Sequence, residues 1–337
     1  MPAHDEEFMA RAVALAARGL GTTSPNPVVG SVLVRDGRVV GEGWHERAGG
    51  PHAEVGALAA AGELARGATA YVTLEPCNHH GRTGPCAQAL IAAGVTRVVY
   101  AVADPGALEG GGAGTLRAAG VDVVAGVLAD EAERVNEVWL TAKRSGRPHV
   151  LWKFAATLDG RSAAADGTSR WISSAASREQ VHDLRRRVDA IVAGSGTVLA
   201  DDPHLTARAA DGTPSARQPL RVVLDRRGRV PAGARVLDDA APTLVSRAET
   251  PRALLDELHG RGVVSVLLEG GPTLAGAFLA AGLVDRVVAY VAPTLLGAGT
   301  NALGGTGITT IADAIALDVD DVSVVGGDVR LSGRPRR

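Results

Sequence analysis

Three features of the 337-residue sequence predict two α/β domains joined end to end. In both halves, apolar runs of strand length alternate with segments of helical period. The length exceeds what one hydrophobic core usually fills. A helical pattern over residues 130–144 is broken by Ser145-Gly146-Arg147-Pro148, which places the boundary between residues 1–146 and 147–337.

Composition narrows the functional classes. An apolar content of 46% with 21% charged residues is ordinary for a globular protein. A formal charge of -2 offers no basic face for neutralising the phosphates of a nucleic acid. No apolar run approaches the roughly 18 residues of a membrane span. The first residues, Met-Pro-Ala-His-Asp-Glu-Glu, are acidic where a secretory leader is basic, so a cytoplasmic location is expected. In that compartment a pair of cysteines reads as a metal or catalytic pair before it reads as a disulfide.

In the first half, residues 6–17 carry apolar positions at helical spacing and end at Gly19 and Gly21. Two strands at 28–35 and 38–44 flank Asp36-Gly37, a strong hairpin signal. A helix starts after Pro51 and includes His52 and Glu54. A strand over 68–74 stops at Glu75-Pro76-Cys77, and Cys86 opens a further helix whose dipole favours a thiolate. Residues 96–103 and 121–127 read as buried strands.

Cys77 and Cys86 are the only cysteines in the chain. With His52 they make a three-ligand set, the count that leaves a zinc ion one position for water. Glu54, two residues after the histidine, is placed to exchange a proton with that water. His-x-Glu followed by Pro-Cys and a second cysteine is the pattern of zinc deaminases, although here eight residues separate the cysteines where that pattern has two. Each residue alone has a plainer reading, a solvated helix turn or an inert buried thiol. His79 and His80 are rival ligands on the intervening loop.

His52-Ala53-Glu54-Val55 and Thr73-Leu74-Glu75-Pro76-Cys77-Asn78-His79-His80-Gly81-Arg82-Thr83-Gly84-Pro85-Cys86 closely resemble the deaminase half of the bifunctional riboflavin-biosynthesis deaminase/reductase family, where the wide cysteine spacing is normal. Pro25-Asn26-Pro27-Val28-Val29-Gly30 and Gly43-Trp44-His45 are similar to the same family. The resemblance implies a cytidine-deaminase-like three-layer α/β/α domain. It implies His52, Cys77 and Cys86 on Zn2+, Glu54 as proton shuttle, and Asn26, His45 and Arg82 at the substrate. One departure stands out. Where the family carries Asp-Pro-Asn-Pro, this chain has Asp104-Pro105-Gly106-Ala107-Leu108-Glu109-Gly110-Gly111-Gly112-Ala113-Gly114, and the extra glycines predict a looser loop.

The second half begins with a strand at 149–157, in which Lys153 is an isolated charge inside Val150-Leu151-Trp152-Lys153-Phe154-Ala155. A basic helix at 180–188 and a buried strand at 189–193 follow. Gly194-Ser195-Gly196-Thr197 lacks the third glycine of a dinucleotide fingerprint and is not read as one. A better phosphate cradle is Glu269-Gly270-Gly271-Pro272-Thr273-Leu274, between a strand at 263–268 and a helix.

Lys153, Leu158-Asp159-Gly160-Arg161, Ser169-Arg170-Trp171-Ile172-Ser173, Arg185, Gly196 through Arg208 and Glu269 through Leu274 resemble the reductase half of the same family. That resemblance implies a dihydrofolate-reductase-like α/β domain that uses NADPH. It implies Ala155, Trp171, Thr197, Asp201, Gly271, Pro272, Thr273, Leu274, Ala275, Gly276 and Ala277 along NADPH. Ser169, Arg185, Leu205, Arg208 and Glu269 would hold a phosphorylated pyrimidine, with Lys153 catalytic. A homo-oligomer is also implied. A nucleic-acid cytidine or adenosine deaminase is the alternative, but 3% aromatic residues and the acidic balance disfavour single-strand binding. A zinc-stabilised scaffold would instead need His79 or His80 as a fourth ligand.

Overall fold

The computed structural model describes residues 3–79, 84–106 and 110–336. The chain divides into two compact units, Met1–Gly146 and Arg147–Arg337.

The first unit begins with helix α1 (Ala3–Ala16) and the hairpin of β1 (Gly30–Arg35) and β2 (Arg38–Trp44). Asp36 and Gly37 both take positive φ, as a tight two-residue hairpin turn requires. Then come α2 (Ala53–Ala61), β3 (Thr69–Leu74), α3 (Cys86–Ala92), β4 (Arg97–Val102), α4 (Gly112–Ala118), β5 (Asp122–Ala125), α5 (Ala129–Val135) and α6 (Glu137–Ser145). The five strands form one sheet in the order β2-β1-β3-β4-β5, with β3, β4 and β5 parallel. Alternation along the strands feeds two cores. Val32, Tyr71 and Val99 face Met9 and Ala12 of α1, whereas Leu33, Val72 and Val98 face Ala57, Leu90 and Leu116 of α2, α3 and α4. Helices therefore cover both faces, giving the three layers expected.

Two expectations need correction. The single helix predicted over 130–144 is two, because Asn136 leaves helical geometry and its buried side-chain oxygen accepts the Val28 N–H at 3.2 Å. β5, expected to be buried, is an edge strand with half-covered side chains.

The second unit contains β6 (His149–Thr157), β7 (Arg161–Ala163), α7 (Ala175–Arg187), β8 (Ala190–Gly194), α8 (Ser195–Asp201), β9 (Leu220–Leu224), β10 (Thr243–Ser246), α9 (Pro251–Gly260), β11 (Ser265–Leu268), α10 (Pro272–Ala280), β12 (Arg286–Ala292), β13 (Thr300–Asn301), β14 (Leu317–Val325) and β15 (Asp328–Pro335). Its main sheet runs β10-β9-β8-β11-β6-β12-β15-β14. The first six strands in that order are parallel, and β15 and β14 close the edge as an antiparallel ribbon. α9 and α10 pack on one face through Leu254, Leu258, Ala275 and Phe278; Val181 of α7 and Val198 of α8 pack on the other. In such a sheet, ligands bind in the crevice outside the carboxyl ends of the parallel strands.

Candidate active sites

In the first unit the metal-type residues converge from three segments. His52 is the residue before α2, in extended backbone and not within the helix as expected, so its ring swings toward the carboxyl end of β3. Cys77 follows β3, and Cys86 is the first residue of α3. The Cys86 N–H reaches Cys77 Sγ at 3.4 Å, and the Ala87 N–H donates to the Cys77 carbonyl at 3.2 Å, so the two sulfur segments are tied together. His52 Nδ1 lies 3.2 Å from Cys86 Sγ and 3.5 Å from Cys77 Sγ. Bond lengths for tetrahedral zinc imply an N···S separation of about 3.6 Å. One nitrogen and two sulfurs at that spacing fit zinc. Among the described residues, this is the one His/Cys/Asp/Glu group close enough to share a metal ion. His79 is not part of it, and His80 lies outside the described residues.

The electrostatics of the three side chains are coupled. Cys86 donates toward Cys77 and, with His52, draws the Cys77 thiol down to about 4; the same contact and burial push Cys86 up. The Cys77 hydrogen bond raises His52 against the effect of burial. Glu54 is 4% exposed, and burial pushes its carboxyl up to about 7. A carboxyl so placed can take a proton and return it near neutrality.

Beside the cluster, the His45 ring stands edge-on to His52 at 5.8 Å. Burial lowers the His45 pKa, and Nδ1 is 2.9 Å from the Pro51 carbonyl, so the neutral ring donates from Nδ1 and leaves Nε2 as an acceptor. That atom meets Asn26 Nδ2 at 3.4 Å. Asn26 and His45 are thus brought together next to the metal ligands. Arg82 lies outside the described residues.

Sequence reasoning missed Glu75 beyond its place in the motif. It is buried, and its carboxylate accepts the N–H groups of Asp104 (3.3 Å), Gly111 (3.2 Å) and Ala113 (2.9 Å). Nor are all the loop glycines a source of looseness. A Cβ on Gly112 would fall 1.8 Å from the Pro76 carbonyl oxygen, so that residue is glycine because the backbones touch. Ala107, Leu108 and Glu109 lie outside the described residues.

In the second unit, charges collect where β11 ends beside the middle of β6. Arg185 of α7 grips Glu269 with two bonds, 2.6 and 2.9 Å, and donates a third to the Thr206 carbonyl at 3.0 Å. Lys153 Nζ lies 3.9 Å from the same carboxylate. Burial opposes the charge on Glu269, yet Arg185 and then Lys153 prevail and hold it at about 2. Burial lowers the Lys153 pKa, only partly offset by Glu269. The Arg208 Nε donates to Thr206 Oγ1 at 3.1 Å, which sets it beside the segment that Arg185 holds.

The cofactor residues carried over from the resemblance divide by position. Gly271 caps α10 and Pro272 opens it; a Cβ on Gly271 would lie 3.5 Å from Thr197 Oγ1, which brings Thr197 against the open first turn. Thr273 is exposed there, but Ala275 is fully buried in the core and Gly276 is pressed on Gly304, so the second turn packs inward. Ser169 donates to Asp201 at 3.2 Å. Trp171 is 69% exposed, and the Arg178 guanidinium sits 4.3 Å over its ring. Leu205 has positive φ and a side chain buried with Ile191 and Val223, so its side chain serves the core and only its backbone can meet a ligand.

Comparison with known proteins accords with this geometry. Residues 2–102 match the cytidine and deoxycytidylate deaminase zinc-binding region, and residues 148–331 match the RibD C-terminal domain. The two halves define an enzyme of two activities, a zinc-dependent deaminase and an NADPH-dependent reductase carried on one chain. The riboflavin biosynthesis protein RibD of Mycobacterium tuberculosis is 53% identical over 97% of this chain and 96% of its own. That of Escherichia coli is 46% identical over 97% and 98%. The structure of Acinetobacter baumannii RibD superposes with a TM-score of 0.91 at 41% identity, covering 99% of both chains. A deaminase/reductase structure from Thermotoga maritima gives 0.87 at 36% identity, covering 98% of this chain and 99% of its own. The chain belongs to the RibD family of bifunctional riboflavin-biosynthesis enzymes.

Proposed function

We propose that this enzyme deaminates 2,5-diamino-6-ribosylamino-4(3H)-pyrimidinone 5′-phosphate in residues 1–146 and reduces the ribosyl group of the product to ribityl in residues 147–337. The Thermotoga maritima relative is described as a diaminohydroxyphosphoribosylaminopyrimidine deaminase and 5-amino-6-(5-phosphoribosylamino)uracil reductase, which supports this substrate. The observation that carries the deaminase reading is the buried Glu54 carboxyl beside the His52, Cys77 and Cys86 cluster.

His52, Cys77 and Cys86 hold the metal, and a bound zinc ion supplies a water acidified toward neutral pH. Glu54 accepts a proton as oxygen adds to the amine-bearing pyrimidine carbon, then returns one to the departing ammonia. Asn26 and the Nε2 acceptor of His45 orient the pyrimidine edge, and Arg82 is a further contact to the substrate. In the second unit NADPH supplies the hydride. Thr197 and the first turn of α10, with its open N–H groups, would hold the cofactor's phosphates, and Ala155, Trp171 and Asp201 would be further contacts to it. Lys153 moves a proton at the ribose carbon end. Arg185 and Arg208, with Ser169 and the Leu205 backbone, hold the phosphorylated ligand, and Glu269 keeps Arg185 and Lys153 aligned. Ala275 and Gly276 support the cradle from behind.

A homo-oligomer and a cytoplasmic location complete the reading. Val322 and Val324 on edge strand β14 are 61% and 75% exposed, and Val324 pairs with exposed Val329 of β15. An apolar ribbon at an unpaired sheet edge is ordinarily covered. No helix of the described residues is long and apolar enough to cross a membrane.

The test is an assay of the purified protein that follows ammonia release and NADPH consumption separately. Both are expected with the phosphorylated diaminopyrimidine. Ammonia release without NADPH consumption would confine the reading to the first unit.

A further inference from the structure

Glu75 is buried two residues before a zinc-type ligand, and no step above uses it. Its carboxylate takes three backbone N–H groups that belong to both flanks of one loop: Asp104 on one side, Gly111 and Ala113 on the other. Its own N–H donates to the Val102 carbonyl at 2.8 Å, so the residue is also fixed to β4. The far flank is held against the Cys77 segment at two more points. Gly112 touches the Pro76 carbonyl so closely that no Cβ fits, and the Thr115 hydroxyl donates to Asn78 Oδ1 at 3.1 Å. The Gly112 position also faces Ala87, the residue after Cys86, at 3.6 Å from an added Cβ. Five contacts therefore converge on residues 75–78, the segment that carries Cys77, and the same Gly112 lies next to the residue that follows Cys86.

An ionised carboxylate accepting several backbone N–H groups makes strong bonds, and a buried one leaves costly unpaired donors if it is removed. Groups that orient metal ligands without touching the metal commonly govern metal affinity. We propose that Glu75 is a positioning residue of the zinc site: by fastening the backbone at 104 and 111–113 to the Pro76-Cys77 turn, it fixes the spacing of Cys77 and Cys86. The extra glycines of this chain are then part of a fastened structure at their Gly111 to Ala113 end. The inference rests on the ligand set proposed above.

The experiment compares wild type, Glu75→Gln and Thr115→Val by chelator competition for zinc, with amide hydrogen exchange read over residues 104–113. Wild-type amide exchange over β1, β3 and β4 serves as the check that the first unit of each variant is folded. Gln keeps one accepting oxygen but turns an N–H donor toward the loop amides. The expected result is zinc affinity lower by about 10- to 100-fold for Glu75→Gln, faster exchange at the loop amides, and a smaller change in the same direction for Thr115→Val. Zinc affinity within twofold of wild type in Glu75→Gln, or unchanged exchange, overturns the positioning role. A wild-type protein that takes up no zinc overturns instead the ligand set beneath it.

Discussion

At the residue scale, the proposed deamination turns on one buried carboxyl, that of Glu54. Glu54→Gln keeps the shape and loses the ability to shuttle a proton, so ammonia release should fall by about 10²- to 10⁴-fold. Zinc content should stay at the wild-type level, and so should NADPH consumption when the deaminated pyrimidine is supplied; a variant that retains most ammonia release would remove Glu54 from the mechanism. This residue was legible in the sequence because the chain has two cysteines and the spacing left few partners for them. Glu75 was not, since its importance comes from which N–H groups fold back onto it, and no local pattern announces three amides from residues 104–113. Leu205 shows a related limit: a motif match carries the position along the chain but not the side on which the side chain lies, and here that side chain is buried in the core. His52 was placed inside a helix, whereas the extended backbone before α2 is what turns its ring toward the sulfurs.

At the element scale, strands and helices were mostly legible because both units alternate them with clear periods. The misses follow physical causes. A buried side chain, Asn136, splits the helical pattern into α5 and α6 without any glycine or proline to mark the place. Edge position, which half-exposes β5, is a property of sheet order and not of the strand itself. α10 shows the same distinction within one helix. Its first turn is open, but a Cβ on Gly276 would lie 1.8 Å from the Gly304 carbonyl oxygen. Gly276→Ala should therefore destabilise the second unit by about 1–3 kcal/mol, with the loss seen in denaturant unfolding. Were Gly276 instead a direct cofactor contact, NADPH affinity would drop with stability unchanged.

At the scale of the molecule, stability toward acid can be traced to carboxylates held ionised in each unit. In the first, the Arg97 guanidinium bonded to Asp5 at 2.9 Å by two atoms holds its pKa below the ordinary value. In the second, Glu269 sits at about 2 against an ordinary 4.5. Because the folded pKa is the lower one, this stabilisation is complete above the unfolded pKa and disappears as pH falls through the folded value. For Glu269 it amounts to about 3 kcal/mol, given up between about pH 4.5 and 2. Thermal melts across that window should fall steeply for wild type and more gently for Asp5→Asn, measured relative to each protein at neutral pH. The β14–β15 ribbon makes a separate prediction: Val322→Asp with Val324→Asp should shift sedimentation to a single chain, whereas a wild-type protein that already sediments as a monomer would dismiss the oligomer.

The grouping of Lys153, Arg185 and Glu269 sets two cations against one carboxylate, at side chains with little contact with water. With Lys153 protonated, the three side chains carry one net positive charge, which an arriving anion would balance. An anion arriving there acts as a counter-ion as much as a substrate, and it binds the folded state alone. By mass action such a ligand raises the unfolding temperature of the second unit in proportion to the logarithm of its concentration. On the proposed phosphate contacts, the reductase half should withstand heat better while it is working than while it is idle.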